Sequence, residues 1–180
     1  VTAADGVYLP VYTVQGLAGA TYEIKAAADI YTPDGTLRCS AGEVVDTVTT
    51  GADGTVESKP LYLGKYEITE MKAPDGMVIN KDAHTAELVY ADQEIEITET
   101  AASFCNDRQK ARISLSKVLE QNKQFGIGMN NELSAVTFGF YAAEELTAAD
   151  GSVISVDGLI EIMSLDENGK AVLKRDVPFG

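Results

Sequence analysis

The chain has 180 residues, 45% of them hydrophobic, and a formal charge of −14 at pH 7. That apolar share is enough for a real core, while the acidity argues against nucleic acid, whose phosphates require basic patches. Lys and Arg form no clustered stripe along the sequence and no apolar run is long enough to span a bilayer, so neither nucleic acid nor membrane insertion is expected of this segment.

Taken in chain order, the signals are mostly β. Tyr22, Ile24 and Ala26 alternate with Thr21, Glu23 and Lys25. Ala26–Ile30 hints at a short helical turn. Val44–Thr50 is rich in β-branched residues, and Asp53-Gly54 gives a hairpin signal before Thr55-Val56. Tyr66–Met71 alternates cleanly until Ala73-Pro74-Asp75-Gly76 stops it. Ala86–Tyr90 and Glu94–Thr98 read as two more strands. Ala111–Leu119, Val136–Ala142 and Ala171–Leu173 continue the pattern, with a second helical hint at Ala142–Leu146 and a turn at Asp166-Glu167-Asn168-Gly169. Short strands punctuated by turns indicate an all-β sandwich.

The chain also repeats itself. Ala20–Ile30, running on to Asp34-Gly35-Thr36, matches Val136–Leu146, running on to Asp150-Gly151-Ser152, with Gly35 and Gly151 116 residues apart. Gly54 matches Gly169 within one residue, and Leu63-Gly64 matches Phe179-Gly180. A period of domain size means tandem copies of one module. The expected boundaries are 1–107 and 108–180, joined by the polar connector Asn106–Lys110. Copy one reaches its last strand near Asn106. Copy two breaks off at Gly180, so it is expected to be incomplete, its missing strands lying elsewhere in the polypeptide or arriving from another chain.

Few residues carry chemistry. Cys39 and Cys105 admit one bridge or two separate small hydrophobes. His84, the only histidine, reads as a surface residue between strands. One His without Cys-x-x-Cys makes a metal site improbable, and no cofactor is expected. Gly126-Ile127-Gly128 lacks the third Gly and the helix of a dinucleotide fingerprint. No Ser/His/Asp or Cys/His constellation is present, so turnover of an external substrate is not expected. Alternation places Glu70 on the face of Tyr66 and Ile68, and Lys117 on that of Ile113, Leu115 and Leu119. Each is then either a charge aimed into an apolar core, where it needs compensation, or an ordinary strand-end group reaching solvent.

Gly19-Ala20-Thr21-Tyr22-Glu23-Ile24, Asp53-Gly54-Thr55 and above all Leu63-Gly64-Lys65-Tyr66-Glu67-Ile68-Thr69-Glu70-Met71-Lys72-Ala73-Pro74-Asp75-Gly76 resemble the Cna B-type, SpaA-type domain of Gram-positive surface proteins and pilins. The resemblance covers nearly all of the chain, as one domain and most of half of another. It implies tandem prealbumin-like, Ig-like β-sandwiches in an extracellular, wall-anchored stalk or shaft, with neighbouring modules of the same polypeptide as partners. Many members close the sandwich with an isopeptide bond, in which a first-strand Lys attacks a last-strand Asn with help from a Glu. By this resemblance Glu70 is the assisting acid, Asn106 the acceptor of copy one, and Lys117 the nucleophile of copy two. Burial makes a Lys more easily neutral and a Glu more easily protonated, which suits both roles. Shifting Lys117 back by the repeat lands on or just before Val1, so the mate of Asn106 is expected outside the chain. The mates of Lys117 are expected beyond Gly180. Such self-crosslinking is single-turnover maturation, not enzymology. The alternative function is an adhesin module gripping a host protein or glycan, with Tyr8, Tyr12, Tyr31 and Tyr62 as aromatic platforms or as ordinary strand residues.

Overall fold

The computed structural model describes residues 1–177 apart from Ala149; of Thr2 only the backbone is described. The match of Leu63-Gly64 to Phe179-Gly180 lies outside the described residues. Contacts divide the chain into a central unit, Val14–Gln109, and a split unit made of Val1–Thr13 and Lys110–Gly180.

The N-terminal piece is a hairpin of β1 (Thr2–Ala4) and β2 (Val7–Leu9), turned by Asp5-Gly6 with φ of 52° and 75°. Both turn residues in the left-handed region give the tight turn that matches strand twist, which is why Gly serves there.

The central unit contains β3 (Thr21–Ala26), β4 (Ile30–Tyr31), β5 (Leu37–Cys39), β6 (Val44–Thr49), β7 (Gly64–Lys72) and β8 (His84–Leu88). Its main sheet is antiparallel in the order β6-β3-β7-β8, and β4 pairs with β5. The period-2 pattern buries Tyr22, Ile24 and Ala26 on β3 and Tyr66 and Glu70 on β7. Ile24, Ala26, Ile30, Cys39 and Tyr66 form the core, flanked by Val45, Val48, Leu61, Ile68 and Leu88. Close packing fixes Gly64, because a Cβ there would meet Ile30 Cδ1 at 2.8 Å.

The split unit contains β9 (Ser114–Ser116), a 3-10 turn (Glu132–Ala135), β10 (Thr137–Tyr141), β11 (Leu146–Thr147), β12 (Val153–Ile154), β13 (Leu159–Ser164) and β14 (Lys170–Val172). One sheet runs β1-β2-β13-β10, and β14 pairs with β9. Ala142, Ile154, Ile160, Met163, Leu165, Ala171, Leu173 and Val177 form its core, with Val1 and Tyr8 packed against it.

Local structure recurs at the sequence offset. β3 pairs with β6 and β10 with β13, each with a register shift at the equivalent place, Ile24/Lys25 and Phe140/Tyr141. The Thr32–Thr36 turn has its counterpart at Ala148–Ser152, with the same pair of backbone hydrogen bonds. Asp34 and Asp150 each accept the backbone N–H two residues on.

Several expectations change. Residues 1–13 were expected in a first module of 1–107, but they contact the split unit: Val7 pairs in parallel with Leu159, and Val1 and Tyr8 cover its core. The first unit accordingly opens at Val14, and it runs to Gln109 rather than to residue 107. The helical hints at Ala26–Ile30 and Ala142–Leu146 are bends leading into β4 and β11. Thr55-Val56 is not a strand. The turn closes at Thr55, where Gly51 N donates to Thr55 O, and Asp53 takes the Thr55 N–H and hydroxyl. Glu94–Thr98 lies outside every ladder among the described residues, because a turn at Gln93-Glu94 and a bend at Glu96 break the extended run. His84 opens β8, half-buried and opposite Ile68. Cys39 is buried, Cys105 is exposed, and both are free thiols.

Candidate functional site

Glu70 is the most buried charged side chain of the central unit, at 5% exposure, and it stands opposite Tyr22 in the β3–β7 ladder. A second strand-like segment brings Asn106 to it. Val78 N donates to Asp107 O and Gln109 N to Gly76 O, around an antiparallel bridge between Met77 and Arg108. The Asn106 amide then donates from Nδ2 to Glu70 Oε2 at 2.6 Å and to Val78 O at 3.0 Å. Asn80 N also donates to Oε2, at 2.5 Å, while Asn80 Nδ2 donates to Cys105 O at 3.1 Å. Asn80 thus ties the carboxylate to the acceptor strand, a role absent from the sequence reading.

The other oxygen, Glu70 Oε1, is buried without a hydrogen-bond partner among the described residues. A buried polar atom left unpaired costs about 1–3 kcal/mol, and the Tyr22 hydroxyl is the phenol donor close enough to Glu70 to be perturbed by it. The wall of the site is aromatic. Phe104 packs against Tyr22 with ring centroids 4.6 Å apart and against His84 at 4.2 Å. Burial, then the adjacent Glu70 charge, holds the Tyr22 phenol above its ordinary value.

Lys117 does not join this cluster and is not buried. Its strand ladder ends at Ser116, the Lys117 backbone N donates to Gly169 O at 2.8 Å, and its side chain is exposed although Ile113 and Leu115 pack on the core. The solvent-reaching reading therefore describes its position here. The buried carboxylate of the split unit is Glu161, at 7% exposure, which sequence analysis did not single out. The β10–β13 bulge places Ile160 and Glu161 inward in succession, and apolar residues on both faces of Leu159–Met163 hide the alternation. Its two oxygens accept Lys174 N at 3.1 and 3.2 Å, and Oε2 accepts Arg175 N at 2.8 Å.

Tyr8 and Tyr12 belong to the split unit, Tyr31 and Tyr62 to the central one. Tyr12, Tyr31 and Tyr62 are exposed, and Arg38 lies over the Tyr62 ring at 5.4 Å. Among the described residues no His/Cys/Asp/Glu group has the makings of a metal site, and no helix is long and apolar enough to cross a membrane.

The central unit is an antiparallel β-sheet module in which β7 buries Glu70 beside Asn106. Residues 11–102 match the SpaA prealbumin-like fold domain, and the chain belongs to that family. It is 31% identical over 74 residues to the trypsin-resistant surface T6 protein of Streptococcus pyogenes serotype M6, an alignment covering 40% of this chain and 14% of that protein. It is also similar to a solved structure, the Bacillus anthracis TIE protein, with a TM-score of 0.48 and 21% identity, over 91% of this chain and 24% of that one. The chain thus spans well under half of the length of either.

Proposed function

We propose that the central unit is a load-bearing module in the stalk or shaft of a Gram-positive cell-surface protein or pilin. The family match and the similarity to a streptococcal surface protein support a structural module at the cell surface. We further read Glu70 and Asn106 as one half of a Lys–Asn isopeptide site. The observation that carries this is the buried Glu70 carboxylate, which touches the Asn106 amide through Oε2 while Oε1 has no partner.

In this reading a neutral lysine amine from the polypeptide upstream attacks Asn106 Cγ. The Nζ–Cγ bond forms and the Cγ–Nδ2 bond breaks. Glu70, already hydrogen-bonded to Nδ2, relays the amine proton to the departing nitrogen, which leaves as ammonia. Oε1 is the atom left to receive the amine. A covalent tie between first and last strands limits the extension of a pulled chain, much as a disulfide does.

The test is a chain extended upstream to its next lysines, digested with trypsin and mapped. The reading expects a branched peptide joining Asn106 to a lysine, absent from Asn106→Ala and Glu70→Ala. Recovery of an unmodified Asn106 peptide in full yield would overturn it.

A further inference from the structure

Although the chain is strongly acidic, four of its 14 basic residues converge on one open groove of the split unit. The β9–β14 ladder continues through Leu173 N to Ile113 O at 2.9 Å and then parts. Lys110 and Arg112 line one side; Lys174, Arg175 and Asp176 line the other; Leu173 lies beneath, in a groove of about 480 Å³. The sequence shows no basic stripe because two stretches more than sixty residues apart build this one. Lys110, Arg112 and Lys174 are exposed and form no ion pair among the described residues. Asp176 lines the same groove and lowers its net charge, while Glu161 forms no ion pair with these cations among the described residues. Glu161 is committed to the backbone N–H groups of Lys174 and Arg175, and so fixes the main chain that carries those two cations. Arg175 is held half-buried by an Nη1 hydrogen bond to Tyr8 O at 3.2 Å.

The complementary surface is on the other unit. The central unit has seven basic against seventeen acidic residues, a formal −10, whereas the split unit has seven against eleven, a formal −4. Within the central unit Asp92, Glu94, Glu96 and Glu99 are exposed and in no ion pair among the described residues. They lie on the segment that has strand pattern but no ladder, where Ile95 and Ile97 are 50% and 72% exposed. When such a segment is extended, Glu94 and Glu96 share one face about 7 Å apart and Ile95 and Ile97 share the other.

We infer that the basic groove binds the Asp92–Glu99 segment of a second copy of this chain. Each copy carries one groove and one segment, so the contact is heterologous and generates a ring or an open series of copies. Exposed ion pairs are individually weak, so the contact is a weak one that adds up along a series of copies. This inference goes beyond the crosslinking reading and does not depend on it.

The experiment is titration of a fluorescently labelled peptide of residues 91–100 with the full chain, together with sedimentation of the chain over a range of concentrations. The expected result is saturable binding that weakens as salt is raised and drops about tenfold or more in Arg112→Glu/Lys174→Glu. Average mass should rise with concentration for the native chain and stay monomeric for that variant. Both substitutions are at exposed positions, and circular dichroism checks that the fold is kept. As a control for folding, Glu94→Lys/Glu96→Lys in a second chain should restore assembly with the groove-reversed variant. Absence of saturable binding, or binding unchanged by groove reversal, would overturn the inference. So would inorganic polyphosphate binding to the groove where the peptide does not, because the occupant would then be a phosphate polymer.

Discussion

At the residue scale, Glu70 does two jobs in the folded unit: it accepts from Asn80 N and Asn106 Nδ2, and it holds the bridge strand against β7. Glu70→Ala strands both donors, one of them on a half-buried side chain, so we expect a loss of about 1–3 kcal/mol from the central unit, read by urea denaturation. The tyrosines give a pH test. Tyr22 is raised by burial and then by Glu70, and Tyr66 by burial first. A phenol whose folded value is raised keeps its proton longer in the folded state. Its contribution is complete below the ordinary value of 10.0 and is lost as pH rises through the folded value. Tyrosinate absorbance should therefore show Tyr22 and Tyr66 ionising above the ordinary value of 10.0, with stability of the central unit falling in that alkaline window. The burial of Glu70 was legible because Tyr66, Ile68 and Glu70 fall on one face of a clean alternation. The nearness of Asn106 to it was suggested only by family resemblance, and the contacts of Asn80 and Glu161 were not legible, since each involves a backbone N–H that no side-chain pattern announces.

At the element scale, sequence reading missed the N-terminal hairpin, the short pairs β4–β5 and β11–β12, and β13, whose inward and outward faces are both apolar. The hairpin strands are three residues each, too short for alternation to register, although Asp5-Gly6 is itself a strong turn signal. The left-handed backbone at Gly6 makes a testable weakness. Gly6→Val has space around it but must adopt φ near 75°, a conformation that costs a β-branched residue about 1–3 kcal/mol. Amide exchange should accelerate at Val7–Leu9 and along β13, while β3 and β7 stay protected. Other longer strands were read nearly in place: Tyr66–Met71 falls inside β7, Val44–Thr50 covers β6, and Val136–Ala142 covers β10. Glu94–Thr98 alternates like a strand, yet a turn at Gln93-Glu94 and a bend at Glu96 keep it out of the sheet.

At the scale of the whole molecule, chain order and structural order differ. The central unit interrupts the split one, whose two pieces are separated by residues 14–109. Deleting residues 1–13 should therefore destabilise the split unit and spare the central one, contrary to a simple division at residue 107. Hydrogen exchange resolves this by reporting β10, β13 and β14 separately from β3, β6 and β7. The turns and the bulge that recur at the sequence offset are local structure shared by matching stretches of the chain. The repeat did not reveal the exchange of the first thirteen residues, because it begins only at Ala20.

The central claim is that the Glu70–Asn106 pair accepts a lysine amine, and the most direct measurement is the intact mass of the chain extended upstream and downstream by one strand each. The expected mass is lower by one ammonia for the central unit and is restored to the full value by Asn106→Ala and by Glu70→Ala, with circular dichroism unchanged. A full, unreduced mass in a correctly folded extended chain would contradict it, and would leave Glu70 as a buried carboxylate that only fastens two strands together.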